Sequence, residues 1–168
     1  LDRGTLVHRI LERFIGSMIQ DSLVPKAGDS WTSAHRSALA AIASEEFSAT
    51  EAKGITGKAL LWDAAKDEVM SDMEAFLESD ARWRSDTGCG PIWVERRFGF
   101  EDDPESLPPV VLRLGDGTEI LLRGVIDRVD IDSAGDLAVI TDYKSGRSTA
   151  YRDMKDDPLG GGRHLQLP

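Results

Sequence analysis

This sequence holds one cysteine, Cys89, in 168 residues. No disulfide framework can be built from it, and no zinc or iron–sulfur site that draws several thiolates from this stretch of chain. Long apolar runs are missing too. Nothing approaches the roughly 18 residues of a membrane span, and no signal peptide is visible. A basic surplus is absent: 30 acidic residues face 20 basic ones, for a net charge of −10. That balance excludes a histone-like or polybasic arm. It leaves room for a nucleic-acid site, because carboxylates that hold metal ions also count as acidic. Several catalytic signatures are lacking as well. Gly54-Ile55-Thr56-Gly57-Lys58-Ala59 has the wrong glycine spacing for a Walker loop, and Ala59 stands where that loop needs Ser or Thr. There is no Gly-x-Ser-x-Gly elbow and no His-x-x-x-His zinc pair, and His35 and His164 lack partners in sequence.

What remains is an ordinary globular mixture, 40% hydrophobic and 30% charged. Its length suits one domain of the usual ~100–200 residues. We read 1–168 as a single domain, mainly helical over 1–90, a strand meander over 91–146, and the start of a C-terminal part over 147–168. The chain opens at Leu1 without Met and stops abruptly at Gln166-Leu167-Pro168, so it is expected to be a piece of a longer polypeptide, in the cytoplasm.

Leu6, Val7, Ile10, Leu11, Phe14, Ile15, Met18 and Ile19 recur at helical spacing, which predicts a first helix over Gly4–Ile19. Asp29 or Ser30 is expected to cap a second, carrying Ala38, Leu39, Ile42 and Phe47. A third is expected over Lys58–Leu77 with Leu61, Trp62, Val69 and Met73 inward, followed by a loop over Ser85–Gly90. Strands are expected over Ile92–Phe100, Val110–Leu114, Glu119–Ile131 and Leu137–Lys144, the last three forming a meander that the first joins. Gly160-Gly161-Gly162 reads as a mobile joint, with the start of another helix at His164–Pro168. Helices grouped before antiparallel strands suggest α+β architecture.

Two carboxylates carry the chemistry. Asp127 lies within Gly124-Val125-Ile126-Asp127-Arg128-Val129-Asp130, and Asp142 in Asp142-Tyr143-Lys144-Ser145-Gly146, just after the apolar Val139 and Ile140 that suggest a buried strand. A turn near Gly135 folds the two strands together, so the acids can meet at one end of the hairpin. Close carboxylates repel unless a cation sits between them, and oxygen ligands select a hard ion such as Mg²⁺ or Mn²⁺. Lys144, two residues beyond Asp142, would share its face in a strand. A metal and a lysine are the equipment for phosphodiester hydrolysis. A surface hairpin with an Asp–Lys ion pair is the plainer alternative. His8 projects at the edge of the first helix's apolar stripe, where it is either a core-edge histidine or a ligand that tilts preference toward Mn²⁺. Glu12, one turn later, is a substitute ligand or a solvated acid. Trp31, Trp62, Trp83 and Trp93 offer stacking surfaces, though helical spacing places Trp62 in the core. Arg96, Arg97, Arg123, Arg128, Arg147, Arg152 and Lys155 form either a phosphate track or a solvated face.

Together these residues resemble the PD-(D/E)XK nuclease superfamily, in particular the exonuclease domains of the RecB/AddB type. The resemblance runs in order through Arg3-Gly4-Thr5-Leu6-Val7-His8, Gly124 to Asp130, Asp142 to Gly146, and Leu165-Gln166-Leu167-Pro168, which is similar to the start of a Gln-x-x-x-Tyr motif. Residues 20–90 match nothing specific. Ile126 replaces the proline of the family name, and the tyrosine of the last motif would fall beyond the end of the sequence. The resemblance implies a restriction-endonuclease-like core, a mostly antiparallel sheet with helices packed on it. It implies that His8, Asp127, Asp142 and the Tyr143 backbone carbonyl bind Mg²⁺ or Mn²⁺. Lys144 would position the attacking water, and Gln166 would orient the site or contact DNA. Glu95 sits where the family often carries a strand glutamate, although Arg96 and Arg97 offer it ion pairs. The implied function is metal-dependent exonuclease cleavage of DNA in repair or recombination, with a helicase domain or subunit as partner and no membrane. A catalytically inactive DNA-binding or scaffold domain of the same fold is the alternative. The iron–sulfur cluster of some relatives is not supported, since only Cys89 is present.

Overall fold

The computed structural model of the protein describes residues 3–144. Helix α1 (Arg3–Gln20) buries Leu6, Val7, Ile10, Leu11, Phe14, Ile15 and Met18 along one stripe. That stripe is the centre of the core, where Phe14 packs on Trp31 and Phe47 of the next helix packs on Trp62. Helix α2 (Ser33–Ala52) starts later than expected, and Thr32 rather than Asp29 or Ser30 caps it. The Thr32 amide donates to Nδ1 of His35 at 3.0 Å, and the His35 amide donates back to the Thr32 hydroxyl at 3.5 Å. The imidazole therefore takes the role that Glu or Gln usually fills in a capping box.

Helix α3 (Ala59–Thr87) runs well past Leu77 and ends on Gly88, whose left-handed φ of 71° suits a residue without Cβ. Its buried stripe passes Val69, Met73 and Leu77 and continues through Asp80 and Arg84. The spacing stays helical while the chemistry turns from apolar to charged, and an apolar pattern loses the helix at that point. Leu61, expected inward, is 66% exposed instead.

The strands are β1 (Cys89–Phe98), β2 (Val110–Arg113), β3 (Glu119–Leu122), β4 (Gly124–Asp132) and β5 (Ala138–Thr141). The expected long strand over Glu119–Ile131 is two strands in two sheets. Among the described residues β3 pairs only with β2, while β4 lies between β1 and β5 in an antiparallel sheet ordered β1-β4-β5. The strand expected near 91–100 is thus β4's neighbour, and the β2–β3 hairpin is an insertion between them. The break falls at Arg123, where the chain passes tightly over Gly99. A Cβ on Gly99 would lie 2.6 Å from that of Arg123.

Strand β4 pairs with β1 from Cys89↔Asp132 to Phe98↔Gly124 and with β5 from Arg128↔Thr141 to Ile131↔Ala138. The β4–β5 turn closes where the Asp132 carboxylate accepts from the Leu137 amide at 2.8 Å, with Gly135 at positive φ. β5 ends at Thr141, so Asp142 to Lys144 lie beyond the strand and not within it. Ile140 is 45% exposed, so β5 is not the buried strand its composition suggested. Cys89, expected in a loop, is fully buried at the start of β1. The glycine run at 160–162 and the helix start at 164–168 lie outside the described residues.

Candidate metal centre

Three elements converge where α1 crosses the sheet. Strand β4 brings Asp127, β1 brings Glu95, and α1 brings His8. One ligand atom from each lies within 4.8 Å of the others, the only such group of three among the described residues. The register explains the meeting of the two acids. Val94 faces Arg128 and Arg96 faces Ile126, so Glu95 falls opposite Asp127. Glu95 also has φ of +46°, the left-handed region that a side-chain-bearing residue rarely enters within a strand. Such a conformation costs about 1–3 kcal/mol and persists only where its surroundings enforce it.

The end of β5 closes the group. The Tyr143 amide donates to Asp127 Oδ2 at 2.7 Å. The Tyr143 carbonyl accepts from His8 Nε2 at 2.6 Å, while His8 Nδ1 stands 3.5 Å from Asp127 Oδ2. A carbonyl can only accept, so Nε2 carries a proton here. In a neutral ring, Nδ1 then turns its lone pair toward a carboxylate oxygen, a contact that a proton or a cation relieves. Both acids respond to the same crowding. Burial pushes the Asp127 carboxyl up, with Asp142 adding to the rise and the Tyr143 amide and His8 opposing it. Burial likewise raises Glu95, reinforced by Glu12 and Asp127. Glu12 thus acts on the group electrostatically and is not part of the triple. An imidazole nitrogen, two carboxylates with raised pKa and a carbonyl oxygen make a donor set that fits a divalent cation of the Mg²⁺ or Mn²⁺ type.

Asp142 and Lys144 sit at the margin. Lys144 Nζ lies 2.5 Å from Asp142 Oδ2, and both act on Asp127. The strand argument for their shared face does not apply beyond Thr141, yet the pair forms. A cleft of about 470 Å³ opens beside Lys144, between α1 and α3. The Tyr143 ring meets His8 and Phe76 edge-on, and burial pushes its hydroxyl up to about 12. Gln166 lies outside the described residues.

The basic residues divide. Arg97 pairs with Asp103, and both Arg97 and Arg123 stack on Phe100. Arg96 lies over Trp93, so neither neighbouring arginine takes Glu95. Arg128 cannot belong to a phosphate track, because it is buried between Asp80 and Asp130. Arg147, Arg152 and Lys155 lie outside the described residues. Trp31 and Trp62 are core, which leaves Trp83 and Trp93 exposed.

The buried charges around Arg128 were not anticipated. Asp80 accepts from Trp31 Nε1 at 2.7 Å and from Arg84 Nε at 2.8 Å. Arg84 in turn donates to the carbonyls of Pro25, Lys26 and Asp29. The i, i+4 spacing of Asp80 and Arg84 was the available signal.

A model of the PD-(D/E)XK nuclease superfamily matches residues 1–168. The chain belongs to that superfamily, and its helices on an antiparallel sheet are the superfamily's restriction-endonuclease-like fold. Curated relatives match in part. The chain is 44% identical over 80 residues to a subunit of the ATP-dependent helicase/deoxyribonuclease of Symbiobacterium thermophilum, covering 46% of this chain and 6% of that protein. It is 48% identical over 58 residues to the subunit of the same name from Alkaliphilus oremlandii, covering 33% of this chain and 5% of the relative. The corresponding protein of Geobacillus kaustophilus is 48% identical over 65 residues, 38% of this chain and 5% of the relative. The matched segments therefore span about a twentieth of these relatives' length. Among the described residues, no helix is long and apolar enough to cross a membrane.

Proposed function

Proceeding from that membership, we propose that the chain is the nuclease module of a helicase–nuclease protein. It hydrolyses phosphodiester bonds of DNA with Mg²⁺ or Mn²⁺, as an exonuclease acting in repair or recombination in the cytoplasm. The observation that carries the reading is the convergence of His8, Glu95 and Asp127 within 4.8 Å. The helicase partner and the DNA substrate rest on the names of the partial relatives.

His8, Asp127, Asp142 and the Tyr143 carbonyl would hold the ion, with Glu95 as a further carboxylate. When bound, the metal supplies a water of lowered pKa and neutralises phosphate oxygens. The residues of the chain do the positioning. The Tyr143 amide fixes Asp127 Oδ2, the oxygen that stands 3.5 Å from His8 Nδ1, by a 2.7 Å hydrogen bond. Asp142 holds the Lys144 ammonium at 2.5 Å. Lys144 so placed orients the attacking water and offsets the negative charge that develops at phosphorus. The cleft beside it gives the DNA strand room to approach.

Digestion of end-labelled DNA tests the reading, with Mg²⁺, Mn²⁺ or chelator, beside Asp142→Ala. Cleavage that needs metal and is lost in the variant supports it. Cleavage that survives chelation or the substitution refutes it.

A further inference from the structure

Strand β4 carries Asp127 at the metal centre and, on the adjoining residue, a side chain held elsewhere. Arg128 Nε and Nη2 grip Asp130 in a two-pronged bond of 2.8 and 2.5 Å, and Nη1 lies 2.6 Å from Asp80 Oδ1. All three side chains are at most 3% exposed. Burial works against the Arg128 charge, and the bond to Asp130 with the field of Asp80 more than restores it. Asp80 and Arg84 belong to α3, and Arg84 fastens α3 to the carbonyls of the α1–α2 loop. Arg128 is also the leading charge acting on the buried Tyr143 hydroxyl. The four charges cancel, so the cluster is a closed, neutral clamp between β4 and α3.

Such a clamp reads register. Successive strand side chains point to opposite faces, and a slip of one residue would put Asp127 or Val129 where Arg128 meets Asp80. It would also carry Asp127 away from His8 and from the Tyr143 amide. We propose that Arg128, clamped by Asp80 and Asp130, is a positioning residue that sets Asp127 and Tyr143 at the distances the metal centre needs. The inference rests on the metal-centre reading above. It assigns to Arg128 and Asp130 a purpose that fold stability alone does not require, since a buried ion pair can often be replaced by apolar residues of similar size without loss of stability.

The test is Mn²⁺ binding to the full chain by titration calorimetry, with Asp127→Ala run in parallel to remove sites elsewhere. The double variant R128M/D130L keeps the core neutral, since Asp80 and Arg84 still pair. It should unfold at nearly the wild-type temperature and bind Mn²⁺ about 10–100-fold more weakly, the usual effect of losing a group that orients a ligand. Arg128→Lys keeps the charge without the fork. It should weaken binding in the same direction and serves where the double variant is unfolded. Wild-type Mn²⁺ affinity in a folded variant overturns the positioning role. Absence of any Asp127-dependent Mn²⁺ site in the wild type overturns the metal-centre reading, and the inference with it.

Discussion

Asp80→Asn is the most demanding perturbation of the fold. Asp80 is the anion between two buried guanidinium groups, 2.8 Å from Arg84 Nε and 2.6 Å from Arg128 Nη1, and it also accepts from Trp31 Nε1 at 2.7 Å. Asparagine fits the space but removes the charge and turns an amide NH₂ toward one cation. Two positive charges then remain in a region served by Asp130 alone. Removing one partner of a buried ion pair costs about 3–5 kcal/mol. At about 2–4 °C per kcal/mol for a domain of this size, the melting temperature should fall by roughly 6–20 °C. Thermal unfolding followed by circular dichroism reads this directly. Arg113→Ala supplies the contrast, because Arg113 pairs with Glu119 on the exposed β2–β3 hairpin. An exposed pair contributes about 0–1 kcal/mol. A fall below about 2 °C for Asp80→Asn, or an equal fall for Arg113→Ala, would refute the description of the clamp.

Gly99→Ala should destabilise by more than about 1 kcal/mol, because φ is +77° and the new Cβ would meet the Arg123 backbone; a neutral result in urea unfolding would contradict the tight crossing. The pH dependence follows from Asp127 and Glu95, whose folded pKa values lie above the ordinary 3.8 and 4.5. In chelator the folded state then binds more protons than the unfolded chain, so their contribution to stability is greatest at low pH and falls as pH rises through the folded values. Mn²⁺ should flatten that fall, and Asp127→Asn with Glu95→Gln should abolish it; a slope unchanged by both treatments would sink the assignment. Lys144→Ala should lower kcat by about 10²–10³-fold, in line with loss of one transition-state donor, while Mn²⁺ affinity holds. Loss of Mn²⁺ binding with normal turnover at saturating metal would contradict the role given to Lys144.

What could be read from sequence was decided by how far apart the partners lie and by how regular the backbone is. The α1 stripe announces itself, because Leu6 to Met18 form a helical pattern within one element. His8, Asp127 and Asp142 stand out by residue type at the edges of apolar segments. The meeting of His8 with Asp127 needs only a hairpin and a helix laid on the sheet, while Asp142 stays at the margin, paired with Lys144. Glu95 was named through the family resemblance, but the way it reaches Asp127 was hidden. It reaches Asp127 through a left-handed φ in mid-strand, and no spacing rule encodes that. Arg128 was misread because its partner Asp80 is 48 positions away on α3, and a strand arginine reads as solvated until that helix is placed. The same cluster hid the last turns of α3, where Asp80 and Arg84 continue a buried stripe in charged residues. The division of Glu119–Ile131 into two strands is marked in the sequence only by Arg123-Gly124, between Ile120-Leu121-Leu122 and Val125-Ile126. It comes from the crossing at Gly99 and from Gly124, on which a Cβ would lie 3.1 Å from the Phe98 ring.

The most direct measurement is anomalous diffraction from crystals of the full chain grown with Mn²⁺. The account predicts one strong anomalous peak in contact with Asp127 and His8, and bordered by Asp142 and the Tyr143 carbonyl. A peak elsewhere on the domain, or none with His8 and Asp127 still joined as they are here, would contradict it.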